Sequence, residues 1–150
     1  MLTNLACRWD NALMWQTYAL LSAFFAALTA IFAKVGVGGV NSNLATAIRT
    51  LVILFIAWGI VFATVPLREM RDISRHALLF LALSGITTGI SWLFYFKALQ
   101  IGEASKVAPL EKISVAFTII LAFAFLGEPL SLKAVIGGAL ILGGALVLAL

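Results

Sequence analysis

Three long apolar segments of this 150-residue chain carry polar side chains at helical spacing. In one segment, spacings of 3, 4 and 4 place the polar residues on one helix face: Ser84, Thr87, Ser91 and Tyr95. Two further segments repeat the pattern, with Glu111, Ser114 and Thr118 in one and Tyr18, Ser22 and Thr29 in the other. Polar groups in apolar surroundings are costly unless they face water or a partner. Together the stripes favour a shared polar cavity, while for each residue alone a hydrogen bond to its own helix is the alternative.

Charged residues are scarce in these segments, and three lie within them or at their ends: Lys34, Arg49 and Glu111. Each can extend its charged group toward the lipid headgroups while its stem stays in apolar surroundings. Alternatively, the three meet as an ion pair at one mouth of a pathway. Glu111 is the best candidate for a group that titrates.

The residue types that most enzymatic chemistry needs are missing. With His76 as the single histidine and Cys7 as the single cysteine, the chain offers neither a metal-ligand set nor an internal disulfide. No nucleophile elbow, phosphate loop or dinucleotide fingerprint occurs. We therefore expect no catalytic residue, no metal and no cofactor, and no enzymatic activity.

Composition explains why these polar residues stand out. The set AVILMFWYC makes up 63% of the chain, charged residues make up 11%, and the mean hydropathy is +1.14. A soluble domain carries about 25% charged residues, which it needs to cover its surface. The net charge of +4 comes mostly from residues at the ends of apolar runs, which favours lipid headgroups over nucleic acid as the partner. The sequence thus predicts an all-α integral membrane protein.

Five stretches are long enough to cross a bilayer core of about 30 Å: residues 15–35, 44–65, 77–96, 107–126 and 132–150. The loops between them are short, so residues 15–150 are predicted to form a single membrane domain. Asn43 is predicted to cap the second helix, and Pro109 to lie in the first turn of the fourth. Residues 67–76 fit a short interfacial helix or, equally well, a solvated loop. Residues 1–14 form an extension, and we hypothesise that translation starts at Met14, which N-terminal sequencing of the native protein tests.

Small residues four apart let helices approach closely. Gly85 and Gly89 in the third span, Gly138 with Ala134 in the fifth, and Ala139 with Gly143 are such pairs. We interpret Gly85, Gly89, Gly138, Ala139 and Gly143 as helix-packing positions that include a dimer contact.

The positive charges do not assign a single orientation. The face that holds the N-terminus has Arg8, Arg68, Arg71, Arg75 and Lys133, and the other face has Lys34, Arg49, Lys97, Lys106 and Lys112. Cytoplasmic faces normally collect Lys and Arg. Either some residues of the second set lie inside the membrane, so that the N-terminus is cytoplasmic, or the balance is real and the chain inserts both ways.

Two stretches resemble the EamA-type domain of the drug/metabolite transporter superfamily, over roughly residues 14–150. One runs from Tyr95 to Leu110 and includes Gly102-Glu103-Ala104-Ser105 and Pro109. The other runs from Phe125 to Gly144 and includes Gly127-Glu128-Pro129. Residues 42–50 also resemble short five-span bacterial and archaeal members. The chain departs from the pattern in having no proline near Val115 and no acidic residue in the first span, so the proton coupling of the related small multidrug family is not carried over.

The resemblance implies half of an inverted-repeat fold, since typical members join two five-span halves. It implies transport of a small metabolite or drug of unknown identity in the inner membrane of a prokaryote. A homodimer, with an antiparallel arrangement as one form, would supply the second half. The alternative function is a non-transporting membrane subunit that packs against a partner. The predicted substrate pathway contains Ser22, Thr29, Arg49, Ser84, Thr87, Ser91, Tyr95, Glu111, Ser114 and Thr118.

Overall fold

The regular structure of the chain is helical. A computed structural model describes residues 2–66, 69 and 72–150, and no strand occurs in this part of the chain. The elements are α1 (Leu2–Gly36), α2 (Ser42–Thr64), α3 (Arg75–Ile101), α4 (Ala104–Glu111), α5 (Ser114–Leu121), a π-helical turn (Ala122–Leu126) and α6 (Leu132–Ala149).

Within the described residues, five helical stretches are long and apolar enough to cross a membrane: Met14–Gly36, Ser42–Thr64, Arg75–Ile101, Ala104–Leu126 and Leu132–Ala149. The predicted all-α fold with five spans is confirmed. Helix α3 continues to Ile101, beyond the predicted end at residue 96. The prediction stopped where the apolar run ends, before Lys97, whereas the backbone stays helical until Gly102. The helix of the first span begins at Leu2, so residues 2–13 continue it.

Short polar side chains begin three of the helices. Ser74 and Ser131 accept hydrogen bonds from Ala77 N and Ala134 N, each at 3.1 Å. Asn41, and not the predicted Asn43, caps α2, since the Asn41 Oδ1 accepts from Asn43 N at 2.9 Å. The cap lies earlier because α2 already begins at Ser42, a buried residue. Residues 67, 68, 70 and 71 of the interfacial helix predicted over 67–76 lie outside the described residues, and α3 begins at Arg75.

The core lies at one end of the bundle, where α1 and α3 end and α2 and α4 begin. Ala33, Val37, Phe96 and Leu99 form a buried apolar cluster there, and we call this region the packed end. Helix α3 packs against α2, α1 and α4, while α6 packs against α4 and α5. The helices therefore meet mainly through α3 and α6.

Hydrogen bonds reinforce the packed end. The Lys34 Nζ donates to the carbonyl oxygens of Leu99 at 2.7 Å and Gly102 at 2.6 Å, at the C-terminus of α3. These carbonyls have no partner within the helix, and a cation beside them is favourable. Gln100 donates from Nε2 to the Val40 carbonyl at 2.8 Å and so ties α3 to the loop before α2.

Among the described residues, the opposite end has no comparable core. None of residues 14–27 of α1, 51–64 of α2 or 75–88 of α3 is buried, and we call this region the open end. Its side chains are mainly large and apolar, such as Phe62, Leu81 and Phe24. Such surfaces are stable only against lipid or another protein.

The predicted packing residues divide between two environments. Gly138 is buried, and a Cβ built on it would lie 3.0 Å from the Ile119 Cδ1, so this glycine lets α6 approach α5. A Cβ on Gly85, Gly89 or Gly143 would meet nothing within 4 Å. Ala139 is exposed as well, so these four positions lie on outward surfaces of the chain.

Candidate functional site

A cavity of about 570 Å³ lies between α1, α2, α3 and α4, next to the packed end. Helix α1 contributes an apolar wall of small residues: Ala23, Ala26, Ala27 and Ala30. Their short side chains leave room that longer ones would fill. The opposite walls carry Arg49 from α2, Ser91, Trp92 and Tyr95 from α3, and Glu111 and Lys112 from α4.

Arg49 is the central charged group of this cavity. It follows the first residue of α2 by seven positions, which places it about 10 Å along the helix axis. Its guanidinium carbon lies 4.3 Å from the centre of the Trp92 ring and 5.3 Å from that of Phe96. Such cation–π contacts hold a cation at modest gain while leaving the N–H groups available. Within the described part of the chain, no oxygen accepts a hydrogen bond from Arg49.

The other charges near the cavity have partners. The Lys112 Nζ and Glu111 Oε2 are 2.7 Å apart, an ion pair between neighbouring residues that are both partly exposed. Lys34 binds the carbonyl oxygens at the end of α3. The ion pair considered for Lys34, Arg49 and Glu111 is therefore not formed, because each of the three charges faces a different group.

The fourth span is broken beside the cavity. Between α4 and α5 the hydrogen bonds shorten to three-residue steps, with Lys112 N donating to Pro109 O at 3.0 Å and Ile113 N to Leu110 O at 3.1 Å. Pro109 lies inside α4 and not in its first turn, so that prediction was wrong. A proline in a helix interior removes one hydrogen bond and disturbs the turn before it. Irregular backbone at membrane depth is tolerated where it lines a cavity or is buried in protein.

The structure gathers five predicted pathway residues around this cavity: Thr29, Arg49, Ser91, Tyr95 and Glu111. Thr29 and Arg49 also line a second cavity of about 370 Å³ that reaches Val40 and Phe96 at the packed end. Two cavities thus share the same pair of polar residues.

The other five predicted residues lie elsewhere. Ser22, Ser84, Thr87 and Ser114 do not line the cavity, and Thr118 lines a separate one of about 150 Å³ near Glu128. The Thr87 hydroxyl donates to the carbonyls of Leu83 and Ser84, and the Thr118 hydroxyl donates to that of Ser114 at 2.9 Å. These threonines satisfy their hydroxyls on their own helices, which was the alternative for single residues.

Sequence reasoning missed Trp92, Pro109 and Lys112, which also line the cavity. Trp92 precedes Tyr95 by three residues and so shares its helix face. A stripe that counted aromatic residues with a polar atom would have included it. Nothing in the spacing of the fourth span indicated its break.

Comparison with known proteins identifies the family. Residues 13–150 match the EamA-like transporter family, which is nearly the whole chain. The chain belongs to this family. It is 54% identical over 135 residues to a Sinorhizobium protein named "Uncharacterized transporter in cobO 3'region", covering 90% of this chain and 96% of the relative. It is also 33% identical over 95 residues to "Uncharacterized protein MJ1333.1" of Methanocaldococcus jannaschii, covering 61% of this chain and 69% of the relative. No solved structure matches the chain.

Two glycines of the EamA-like segments have clear structural roles. A Cβ on Gly102 would lie 3.0 Å from the Val107 Cγ2 and 3.1 Å from the Ala98 carbonyl oxygen, which is closer than such atoms usually approach, so glycine suits the tight turn between α3 and α4. Gly127 ends the π-helical turn with φ = +67°, a left-handed conformation that favours glycine. Membership in this family and the name of the Sinorhizobium relative point to a membrane transporter and not to an enzyme.

Proposed function

We propose that the chain transports a small molecule across the membrane through the cavity beside Arg49, and that it does so as a homodimer by alternating access. The observation that carries the proposal is the polar cavity among spanning helices, where Thr29, Arg49, Ser91, Tyr95 and Glu111 meet. Polar groups kept inside a membrane bundle, facing a space between helices, are typical of a substrate pathway.

The two ends of the bundle support alternating access. The packed end closes one side of the cavity with the cluster around Phe96 and Leu99, whereas the open end offers no such closure. A transporter must open to each side in turn. Repeats in opposite orientation provide that change when they exchange conformations.

A second copy would supply what a single chain lacks. The outward small residues Ala139 and Gly143 lie near the middle of α6, where a two-fold axis would bring equivalent helices together. The membrane that we propose for the homodimer is the cytoplasmic membrane of a prokaryote, and the prokaryotic source of both relatives supports this part of the proposal.

Transport is tested with the purified protein in liposomes loaded with a mixture of labelled metabolites. Loss of a label through the wild-type protein, and not through an Ala27→Trp variant that fills the cavity, is the expected result. Ala82→Trp is the matched control, since Ala82 is exposed on α3 and lies outside the cavity. No loss of any label with wild-type protein overturns the proposal in favour of a non-transporting subunit.

Dimerisation is tested by cysteine cross-linking in membranes, in a Cys7→Ser background. Ala139→Cys and Gly143→Cys chains carrying different tags should cross-link to each other when co-expressed if the helices are antiparallel. Each variant should cross-link to itself if they are parallel. Gly138→Cys, buried against α5, is the control that should not cross-link, and equal labelling at all three positions overturns the α6 contact. C-terminal reporters on a single side of the membrane overturn the antiparallel form.

A further inference from the structure

We infer that the cavity binds an anionic group, a carboxylate or a phosphate, through the Arg49 guanidinium. This inference rests on the proposed transport function and names the substrate class of the same site. It joins three observations: a cation without a hydrogen-bond acceptor, a cavity whose other charges are paired, and walls that suit a compact apolar body.

The guanidinium lacks the acceptors that it normally has when partly buried. Arg49 has five N–H donors in a planar fork, and none of the described oxygens accepts from them. The guanidinium carbon lies over the rings of Trp92 and Phe96, 4.3 Å and 5.3 Å from their centres. The rings supply no oxygen acceptor to the N–H fork, whose geometry matches the two oxygens of a carboxylate or phosphate.

The side chains that line the cavity carry a net positive charge. Its charged lining consists of Arg49, Lys112 and Glu111, and the last two lie 2.7 Å apart. The pair cancels its own charge, so Arg49 supplies the net charge of the cavity. A cation entering the cavity would have to compete with Lys112 for Glu111 and would be repelled by Arg49. An anion is attracted by Arg49, and its repulsion by Glu111 is offset by Lys112, which lies 2.7 Å from that carboxylate.

The walls limit what the anion carries. Four alanines of α1 face Trp92 and Tyr95 across the cavity, and this combination suits a flat or compact apolar body. Ser91 and Thr29 provide hydroxyls for further polar atoms. The fitting ligand is therefore a small organic anion, and the anionic group can belong to a free solute or to a lipid headgroup, which have the same chemistry.

The test uses a matched series of probes that differ in charge and little in size: benzoate, benzamide and benzylamine. The protein is placed in nanodiscs of phosphatidylcholine alone, with Trp9, Trp15 and Trp58 replaced by phenylalanine, so that Trp92 is the single tryptophan. Because Trp92 lies against Arg49, its emission reports a ligand that reaches the guanidinium. Benzoate should change this emission saturably, whereas benzamide should bind at least about 10-fold more weakly and benzylamine weaker still.

Variants assign the effect to Arg49. Arg49→Gln should weaken benzoate binding by about 10- to 100-fold, and Arg49→Lys, which keeps the charge but loses the fork, should fall between it and wild type. Lys97→Gln is the control: Lys97 lies near the C-terminus of α3 and does not line the cavity. Removing its charge should leave benzoate binding unchanged. Glu111→Gln removes the competing anion and should maintain or strengthen binding.

A second set of nanodiscs, containing phosphatidylglycerol, distinguishes the source of the anion. Competition between this lipid and benzoate that disappears in Arg49→Gln supports the anion site with a headgroup as its ligand. No competition supports it with a free solute.

Equal binding of benzamide or benzylamine, equal losses in Arg49→Gln and Lys97→Gln, or no response to benzoate overturns the inference. Benzoate binding without flux in liposomes upholds the anion site while overturning transport. Flux of a neutral or cationic metabolite without benzoate binding supports transport and overturns the anion site.

Discussion

The packed end and the open end of the bundle are built from the same apolar residue types, yet they differ in what covers them. At the packed end, Phe96 and Leu99 are buried against Ala33 and Val37, and Lys34 bonds across from α1 to α3. At the open end, α1, α2 and α3 carry large apolar side chains with no buried residue among them.

The difference shows that apolar composition does not decide packing inside a membrane. Lipid tails are as apolar as leucine, so burial against another helix gains little from the hydrophobic effect. Close fit and hydrogen bonds hold helices together instead, and both are concentrated at the packed end. The open end consequently presents its apolar side chains to lipid or to a second protein.

The largest expected effect separates the two ends on a single helix. Leu99→Ala should lower the free energy of unfolding by about 2–3 kcal/mol, because Leu99 is fully buried and its removal leaves a cavity. Leu81→Ala at the open end of α3 is the control and should change it by no more than about 0.5 kcal/mol. Equilibrium unfolding in mixed micelles measures both, and equal losses would erase the distinction between the ends.

The next comparison concerns the two faces of α6. Gly138→Leu should destabilise the chain by about 1–3 kcal/mol, since its side chain would meet Ile119 on α5. Gly143→Leu should leave the stability of the monomer unchanged and weaken dimerisation instead, because no described atom outside its own helix turn lies within 4 Å of a Cβ built on it. Equilibrium unfolding in detergent measures the stability of the monomer, and analytical ultracentrifugation measures dimerisation. Destabilisation of the monomer by Gly143→Leu would contradict the assignment of Gly143 to the outward face of α6.

A smaller effect is expected for the hydrogen bonds of the packed end. Lys34→Met should cost about 1–2 kcal/mol, because the carbonyls of Leu99 and Gly102 lose a charged donor in a partly buried setting. Lys97→Met is the matched control, since its ammonium contacts only the exposed Gln100 Oε1, at 3.1 Å, within its own helix. Thermal unfolding in one detergent compares them, and a larger loss in Lys97→Met would show that Lys34 does not hold the packed end.

The smallest effect is expected for a threonine that bonds to its own helix. Thr87→Val should change the free energy of unfolding by no more than about 0.5 kcal/mol and should leave flux unchanged. The reason is that its hydroxyl donates to the carbonyls of Leu83 and Ser84, outside the cavity. Ser91→Val, four residues later and lining the cavity, should lower flux in the same liposome assay. Loss of flux in Thr87→Val alone would place the pathway on the other part of α3.

The five spans could be predicted because their cause is local. A bilayer needs about 20 apolar residues for each helix, and the backbone must satisfy its hydrogen bonds within the segment. Hydropathy therefore located all five spans, and it missed only their ends, as at Ile101, where a helix continues past its apolar part. The family could also be recognised from motifs such as Gly127-Glu128-Pro129, whose glycine is required by its backbone conformation.

The geometry of the candidate site was less predictable. Helical spacing correctly groups Ser84, Thr87, Ser91 and Tyr95 on one face, yet only the last two line the cavity. Spacing specifies the direction of a side chain around its own axis. It does not specify over which part of its length the helix contacts its neighbours. Helices α1 and α2 pack closely against α3 only toward the packed end.

By itself, then, the sequence determined the membrane fold, the number of spans and the residue types available inside them, since these depend on composition and short-range periodicity. The tertiary structure decided that Arg49 lies over Trp92, that Glu111 pairs with Lys112, and that the fourth span breaks beside the cavity. The Arg49–Trp92 contact joins residues on different helices. Glu111 and Lys112 are neighbours in the chain, and their pairing accompanies the three-residue hydrogen bonds that separate α4 from α5. Only the packing of α1 to α4 around one space put Arg49 in the cavity without an acceptor among the described residues, and so made the cavity a candidate anion site.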